Sequence, residues 1–321
     1  MMKGAALEKL GMGVYCVDAR YIREGLACCY LVVEGAEVAI VETGTGRTVE
    51  AIRAALGTLG LSPDAVRYVL PTHVHLDHAG GAGKLMQLCP NAELVVHPRG
   101  ARHMIDPTRL VAGVKAVYGE AAYEELYGEL VPVPGERVRA AEDGLVLDFA
   151  GRPLQVRHTP GHAEHHYCLW DVSSKGWFSG DTFGLSYQFE QLQGERFILP
   201  TTTPVQFNPQ KLLDSLELLM SYDPERIYMT HYGALEQPQN YVQSLREQIV
   251  EWSKMALSLE PGDERPQQLE KNLRDMIAAR IASQWPGVDV GAIVEELGMD
   301  IELNAQGLEA WLRYNEKKDA E

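Results

Sequence analysis

The chain has no CxxC pair, and its cysteines are odd in number: five, at Cys16, Cys28, Cys29, Cys89 and Cys168. A disulfide framework is therefore not expected, and the thiols read as reduced and buried, the adjacent Cys28 and Cys29 included. Long apolar runs are also missing. The longest, LACCYLVV (26–33), is far short of the roughly 20 residues a membrane span needs. Basic charge is scarce: 29 lysines and arginines face 45 acidic residues, for a net charge of -16. Such a surface repels phosphate backbones, so no nucleic-acid partner and no membrane partner are expected. The opening MMKGAALEKLGMG carries one early lysine, then Glu8, and no apolar stretch of signal-peptide type, so a cytoplasmic location is expected. There is no GxSxG elbow for a serine nucleophile and no GxxxxGK[ST] loop for phosphates. Low-complexity segments and internal repeats are absent as well.

What remains is ordinary globular composition, 45% apolar and 23% charged over 321 residues, enough for one large domain or two smaller ones. GVYCVDA (13–19), ACCYLVVE (27–34), EVAIVETG (37–44) and VRYVL (66–70) read as strands, rich in β-branched and aromatic residues. TVEAIRAALGTLG (48–60) has helical spacing and ends in glycine. GKLMQLC (83–89) reads as helix, ELVVHP (93–98) as strand, and residues 106–130 as a further helical segment. A second set of strands follows: LVLDF, PLQVRHT, HYCLWD, GWFSGD and, after the amphipathic helix 209–222, RIYMTHY (226–232). Two packed sheets with helices outside are the expected architecture. A polar break at 258–268 precedes a helical tail, in which Leu269, Leu273, Met276, Ile277 and Ile281 share one face. Val290, Ile293, Val294 and Leu297 form a second apolar face, and Leu308, Trp311 and Leu312 a third. Residues 1–254 are expected to form the catalytic domain and 255–321 a helical extension that caps the pocket or forms a homodimer interface.

The segment THVHLDH (72–78) packs three histidines and an aspartate into six positions. Imidazoles that close repel when charged, and a bound metal removes the conflict by holding them neutral. If YVL is a strand, His73 and His75 point to one side as the chain leaves the sheet. Asp77 and His78 follow in the turn before a glycine-rich helix start. More ligands are needed than this stretch supplies. His162 in HTPGH, Asp181 in FSGDTF and His231 in YMTHYG are metal-capable residues in a turn or at strand ends.

THVHLDH, HTPGH (158–162), SGD (179–181) and TH (230–231), in that order, resemble the metallo-β-lactamase superfamily over about residues 10–252. The resemblance implies an αββα sandwich with the site at one edge of both sheets. By position it implies that His73, His75 and His162 hold a first metal, that Asp77, His78 and His231 hold a second, and that Asp181 bridges them. His166 matches a supporting position next to the ligands, His158 is expected to face away, and His97 and His103 are read as structural or surface residues. VETG (41–44) stands where the family more usually has Asp-Thr-Gly, so Glu42 departs from the pattern.

Two divalent ions sharing a hydroxide supply a nucleophile without serine or cysteine. The expected activity is thus cleavage of a small carboxylic ester, thioester or lactone, with Asp77 orienting the hydroxide and Tyr187 a candidate oxyanion donor. Ligands of histidine and carboxylate favour zinc and also suit iron or manganese. The substrate is expected to be a small acyl compound, because the aromatic segment 183–209 (Phe183, Tyr187, Phe189, Phe197, Phe207) follows Asp181 directly and either walls the pocket or anchors the loop. The resemblance extends to glyoxalase II, lactonases and thioesterase-like relatives. It leaves a mononuclear iron persulfide dioxygenase as the alternative, with a phosphodiesterase or nuclease behind it. THYG at His231 and the lack of a basic cluster in the tail set the chain apart from glyoxalase II.

Overall fold

The computed structural model describes residues 7–202 and 205–320. The opening residues 1–6 and Thr203–Pro204 of the aromatic segment lie outside the described residues. Seven strands form one sheet in spatial order: β1 (Leu7–Gly11), β2 (Val14–Asp18), β3 (Cys28–Glu34), β4 (Glu37–Val41), β5 (Val66–Leu70), β6 (Glu93–Val96) and β7 (Val138–Ala140). Pairing is antiparallel from β1 to β4 and parallel from β4 to β7. Parallel neighbours need crossovers. These are supplied by α1 (Val49–Thr58), α2 (Leu76–Ala79), α3 (Ala82–Leu88), α4 (Pro98–Ile105), α5 (Thr108–Tyr118) and α6 (Glu120–Leu126).

The second sheet contains β8 (Val146–Phe149), β9 (Arg152–His158), β10 (Tyr167–Asp171), β11 (Gly176–Gly180), β12 (Arg226–Met229) and β13 (Gly233–Glu236), ordered β13-β12-β11-β10-β9-β8. Only β11 and β12 run parallel there, joined through α7 (Pro209–Met220). The chain closes with α8 (Gln239–Leu257), α9 (Arg265–Gln284), α10 (Val290–Glu296) and α11 (Gly298–Ala320). The two sheets and their flanking helices make a four-layer αββα sandwich with a helical C-terminal region, as expected from the sequence.

The unbroken apolar run of β3 follows from burial on both faces. Cys28, Tyr30 and Val32 enter the core between the sheets, whereas Cys29 and Leu31 pack outward under α1 and α3. All five thiols are free and buried. The segment 106–130 is two helices, not one, because Gly119 turns left-handed (φ 84°) between α5 and α6. β12 stops at Met229, so Thr230 and His231 lie just beyond the strand.

Leu269, Leu273, Ile277 and Ile281 of α9, Ile293 of α10, and Leu308 and Leu312 of α11 join the same buried cluster as the inter-sheet core. The residue 254/255 division falls inside α8, and that cluster runs across it. Arg265 at the start of α9 is buried and grips Glu309 of α11 with two bonds, 2.7 and 3.1 Å, while also pairing with Glu316. Among the described residues no helix is long and apolar enough to cross a membrane.

Candidate metal centre

Every residue singled out from the sequence as a ligand lies past the C-terminal end of a strand, at one edge shared by both sheets. His73, His75, Asp77 and His78 follow β5, His162 follows β9, Asp181 follows β11 and His231 follows β12. Loops at strand ends are free to offer side chains because the ladder behind them is rigid. Gly180 makes the approach of Asp181 feasible. Its φ is +48°, and a Cβ there would sit 2.4 Å from Thr72 Oγ1 and 2.6 Å from His166 Nε2.

The seven side chains come together in three overlapping groups able to hold a metal ion: His73, His75 and His162; His73, His78 and Asp181; and Asp77, His78 and His231. In the first group His73 Nε2 lies 2.8 Å and His162 Nε2 3.1 Å from His75 Nδ1. Asp181 spans the set, with Oδ2 3.4 Å from His162 Nε2 and Oδ1 3.2 Å from His78 Nε2 and 3.6 Å from His231 Nε2. Asp77 Oδ2 lies 3.5 Å from His78 Nε2 and 3.4 Å from His231 Nε2.

The outer nitrogens decide which inner ones are available. His231 Nδ1 faces the Leu26 carbonyl at 2.9 Å and His162 Nδ1 the Thr201 carbonyl at 3.2 Å. His78 Nδ1 faces Glu42 Oε1 at 3.0 Å. A carbonyl or carboxylate only accepts, so each of these nitrogens carries the hydrogen, and in the neutral ring that a metal requires each Nε2 keeps its lone pair. Thr72 gives its single hydroxyl hydrogen to Glu42 Oε1 at 2.7 Å, so its oxygen accepts from His73 Nδ1 at 3.1 Å. Four Nε2 lone pairs therefore converge on the two carboxylates, an arrangement that fits a cation.

Two further observations agree. His78 Nε2 and Asp181 Oδ1 are buried and neither makes a hydrogen bond. Burial and the neighbouring imidazoles, His78 foremost, hold the pKa of His73 well below the ordinary value. Burial also opposes charge on His231, yet Asp181 and Asp77 override it and push its pKa up to about 9. The acidic end of the cluster attracts positive charge while the imidazole end refuses protons. A metal ion satisfies both ends at once.

Glu42 is the support beneath this arrangement. It is buried, follows β4, and accepts four hydrogen bonds: from Thr72 N and Oγ1, from Thr230 Oγ1 and from His78 Nδ1. It thereby ties the loops after β4, β5 and β12 together and fixes the His78 ring. His166 is buried beside the site, accepts from the Asp181 backbone N–H at 3.2 Å and bonds Thr159 Oγ1 at 2.9 Å. His158 turns away to the Ala141 carbonyl at 2.6 Å. His97 caps α4 by accepting from Arg99 N–H. None of these three belongs to the metal-capable groups among the described residues.

The cluster forms the floor of a cavity of about 370 Å³. Leu26, Leu110, Val114, Leu185 and Leu303 give it apolar walls, and His103, Arg109, His165 and Gln206 also line it. Of the aromatic segment, Phe183, Phe189, Phe197 and Phe207 are buried in the core and anchor the loop; Tyr187 alone lines the cavity. The Tyr187 hydroxyl donates its hydrogen to Asp300 Oδ1 at 2.9 Å, so oxyanion donation from Tyr187 requires that bond to open. Asp300 and Asn304 of α11 were not singled out from the sequence. The available signal was two polar residues at i and i+4 on the face that carries Leu297, Ile301 and Leu308.

A two-sheet sandwich with five histidines and two aspartates at one sheet edge defines a metal-binding protein of the αββα class. The chain belongs to the metallo-β-lactamase superfamily, whose family model matches residues 23–231. A metallo-β-lactamase fold-containing protein, ST1585 of Sulfurisphaera tokodaii, is 24% identical over 66% of this chain and 79% of its own length. Human acyl-coenzyme A thioesterase MBLAC2 is 30% identical over 55% of this chain and 65% of that protein. The solved structure of ST1585 superposes with a TM-score of 0.63 at 20% identity, covering 93% of this chain and 99% of that one. A family protein of Thermus thermophilus, TTHA1429, gives 0.67 at 21% identity, covering 96% and 95%.

Proposed function

We propose that this chain is a metal-dependent hydrolase of a small carboxylic thioester, ester or lactone, with the thioester placed first. The convergence of four Nε2 lone pairs and two carboxylates on the floor of a mainly apolar cavity carries the reading. The human relative, named as an acyl-coenzyme A thioesterase, supports the order of leaving groups. His73, His75 and His162 would hold one ion and Asp77, His78 and His231 a second, with Asp181 lying between the two sets. Zinc suits this donor set best, and iron or manganese also fit, since no thiolate is among the groups. When bound, such a pair activates water and polarises a carbonyl.

The chain's own residues do the rest. Asp77 reaches the cavity, where it orients the attacking water and holds the proton that the leaving group receives. The Leu26 carbonyl, the Thr201 carbonyl and Glu42 keep the imidazoles aimed. The leucines and valines of the wall exclude water from the acyl group.

The test is elemental analysis of protein purified without added metal, with turnover of a thioester, ester and lactone panel on the same sample. About two ions per chain and hydrolysis are expected, and His73→Ala should lose both while its circular dichroism is retained. Hydrolysis surviving in metal-free His73→Ala would overturn the reading. One iron per chain with oxygen uptake on a glutathione persulfide would assign the chain to the dioxygenase class instead.

A further inference from the structure

Asn304 of α11 is only 3% exposed and lines the cavity. Its side-chain amide is held in one orientation. Oδ1 accepts from the Thr202 backbone N–H at 2.6 Å, and an N–H can face only the oxygen end of an amide. The Thr202 hydroxyl lies 2.9 Å from the same oxygen and 2.9 Å from the Asn304 carbonyl. The NH2 end is thereby fixed too, and among the described residues it donates to no protein group. Asp300 Oδ2, one turn away, lacks a partner because it is sealed inside the protein; Asn304 Nδ2 is not sealed, so the small part of Asn304 left open includes its donor. A nearly buried NH2 group with no acceptor is costly, and such groups persist where something else completes them. Gln206, an exposed residue of the cavity lining, repeats the pattern: Oε1 accepts from the Glu164 N–H at 2.9 Å and the NH2 end is unspent.

We infer that Asn304 is a specificity-determining residue, and that its Nδ2 donates to a second carbonyl oxygen, of a ketone or an amide, in the acyl part of the substrate. This rests on the hydrolase reading above. The scissile carbonyl belongs at the histidine cluster. Asn304 stands one step back from it, bonded to Thr202, whose neighbour Thr201 orients His162. The acceptor therefore sits further along the acyl chain. A neutral oxygen is favoured over a carboxylate because Asp300 and Asn304, four positions apart, are neighbours on the helix, and a second anion there is repelled. The acyl part is favoured over the leaving group because of room. A cavity of about 370 Å³ lies near the lower end of small-molecule sites and holds a short acyl chain, but not a nucleotide-bearing carrier as well. A site with a buried polar group meant for a substrate atom discriminates against the analogue lacking that atom, because the group is then left bare.

The experiment measures binding and turnover separately on the metal-loaded protein. Calorimetry compares 3-oxobutanoate with butyrate, and 4-oxopentanoate and N-acetylglycine with pentanoate, as product probes; the matching thioesters are the substrates. At least one carbonyl-bearing acid should bind about three- to tenfold tighter than its plain counterpart, the worth of one neutral hydrogen bond. The ketone and amide probes tell the two sources of the oxygen apart. Asn304→Asp keeps an oxygen for Thr202 and loses the NH2 donor, so it should erase the preference while metal content is retained. Asn304→Ala covers the case in which the aspartate variant does not fold, and should erase the preference likewise. Equal binding of each pair by the wild type, or a preference that survives in both variants, would overturn the inference. Thioester turnover without the preference sinks the subsite and leaves the hydrolase reading standing, whereas the preference without turnover refutes the hydrolase reading and leaves the subsite.

Discussion

Glu42 and Asp300 show how single carboxylates at this site do opposite work. Glu42 commits both its oxygens to protein, holding Thr72, Thr230 and His78, and its backbone sits in the left-handed region at φ 64° to do so. Glu42→Gln replaces one accepting oxygen with an amide donor, which then faces either the Thr72 N–H or the hydrogens of Thr72, Thr230 and His78, and so disturbs the seat of the His78 ring. Metal affinity is expected to fall about 10–100-fold, the usual effect of losing a ligand's supporting partner. Glu42→Asp, one methylene shorter, should fall between the two, and competition with a chelating dye measures it. Asp300 instead keeps one oxygen free, and burial raises its pKa from 3.8 to about 6. Tyr187, Arg23 and His231 oppose that rise without cancelling it. The folded state then holds the proton more tightly than the unfolded chain, so stability falls as pH rises from about 4 to 6. Asp300→Asn should stabilise the chelator-treated protein by about 3 kcal/mol at pH 7.5 and give no gain near pH 3.5. Thermal melts at the two pH values decide it, and equal shifts at both would refute the cause.

At the scale of elements, the weight falls on α9 and α11. Leu269, Leu273, Ile277 and Ile281 recur every turn of α9, and all four are buried against the common core. Ile277→Ala is expected to cost about 2–5 kcal/mol, the range for deleting a large aliphatic side chain from a packed site. Arg265 binds α9 to α11 through a carboxylate that is itself largely buried. Arg265→Ala leaves Glu309 with only the exposed Arg313, and losing one member of such a pair typically costs about 3–5 kcal/mol. Because α11 lines the cavity through Met299, Leu303 and Asn304, the same variant should raise KM more than it lowers kcat, as steady-state kinetics can separate. The sequence already contained the α9 stripe. The clamp was not visible there, since Arg265 and Glu309 are 44 residues apart.

Across the whole molecule, one buried cluster joins the inter-sheet core to the tail, so the tail is expected to unfold with the sandwich. Urea denaturation followed by far-ultraviolet circular dichroism and by tryptophan fluorescence should give coincident transitions. Trp170 and Trp177 report on the second sheet, and Trp311 on α11. An earlier transition in hydrogen exchange confined to α9–α11 would contradict this. A chain ended at residue 258 should accordingly be insoluble, because it exposes the apolar surface that α9 and α11 cover. It should not be a hydrolase with a wider pocket.

The order THVHLDH, HTPGH, SGD and TH was enough to name the family, the strand-rich halves and all seven candidate ligands. Metal chemistry restricts which residues serve, and strand ends restrict where they sit, so both leave marks on a linear sequence. Strand boundaries near VRYVL were equally plain, because β-branched runs end sharply at polar turns. Which nitrogen of each histidine faces inward was decided only in three dimensions, since the outer partners include Leu26, Thr201 and Glu42, distant along the chain. The same holds for Asp300: its place in the cavity depends on how α11 returns across the sheet edge, and helix periodicity says which face is buried but not against what. Local pattern encodes elements and ligand types, whereas the buried Asp300 carboxylate beside the cavity exists only because remote segments pack together.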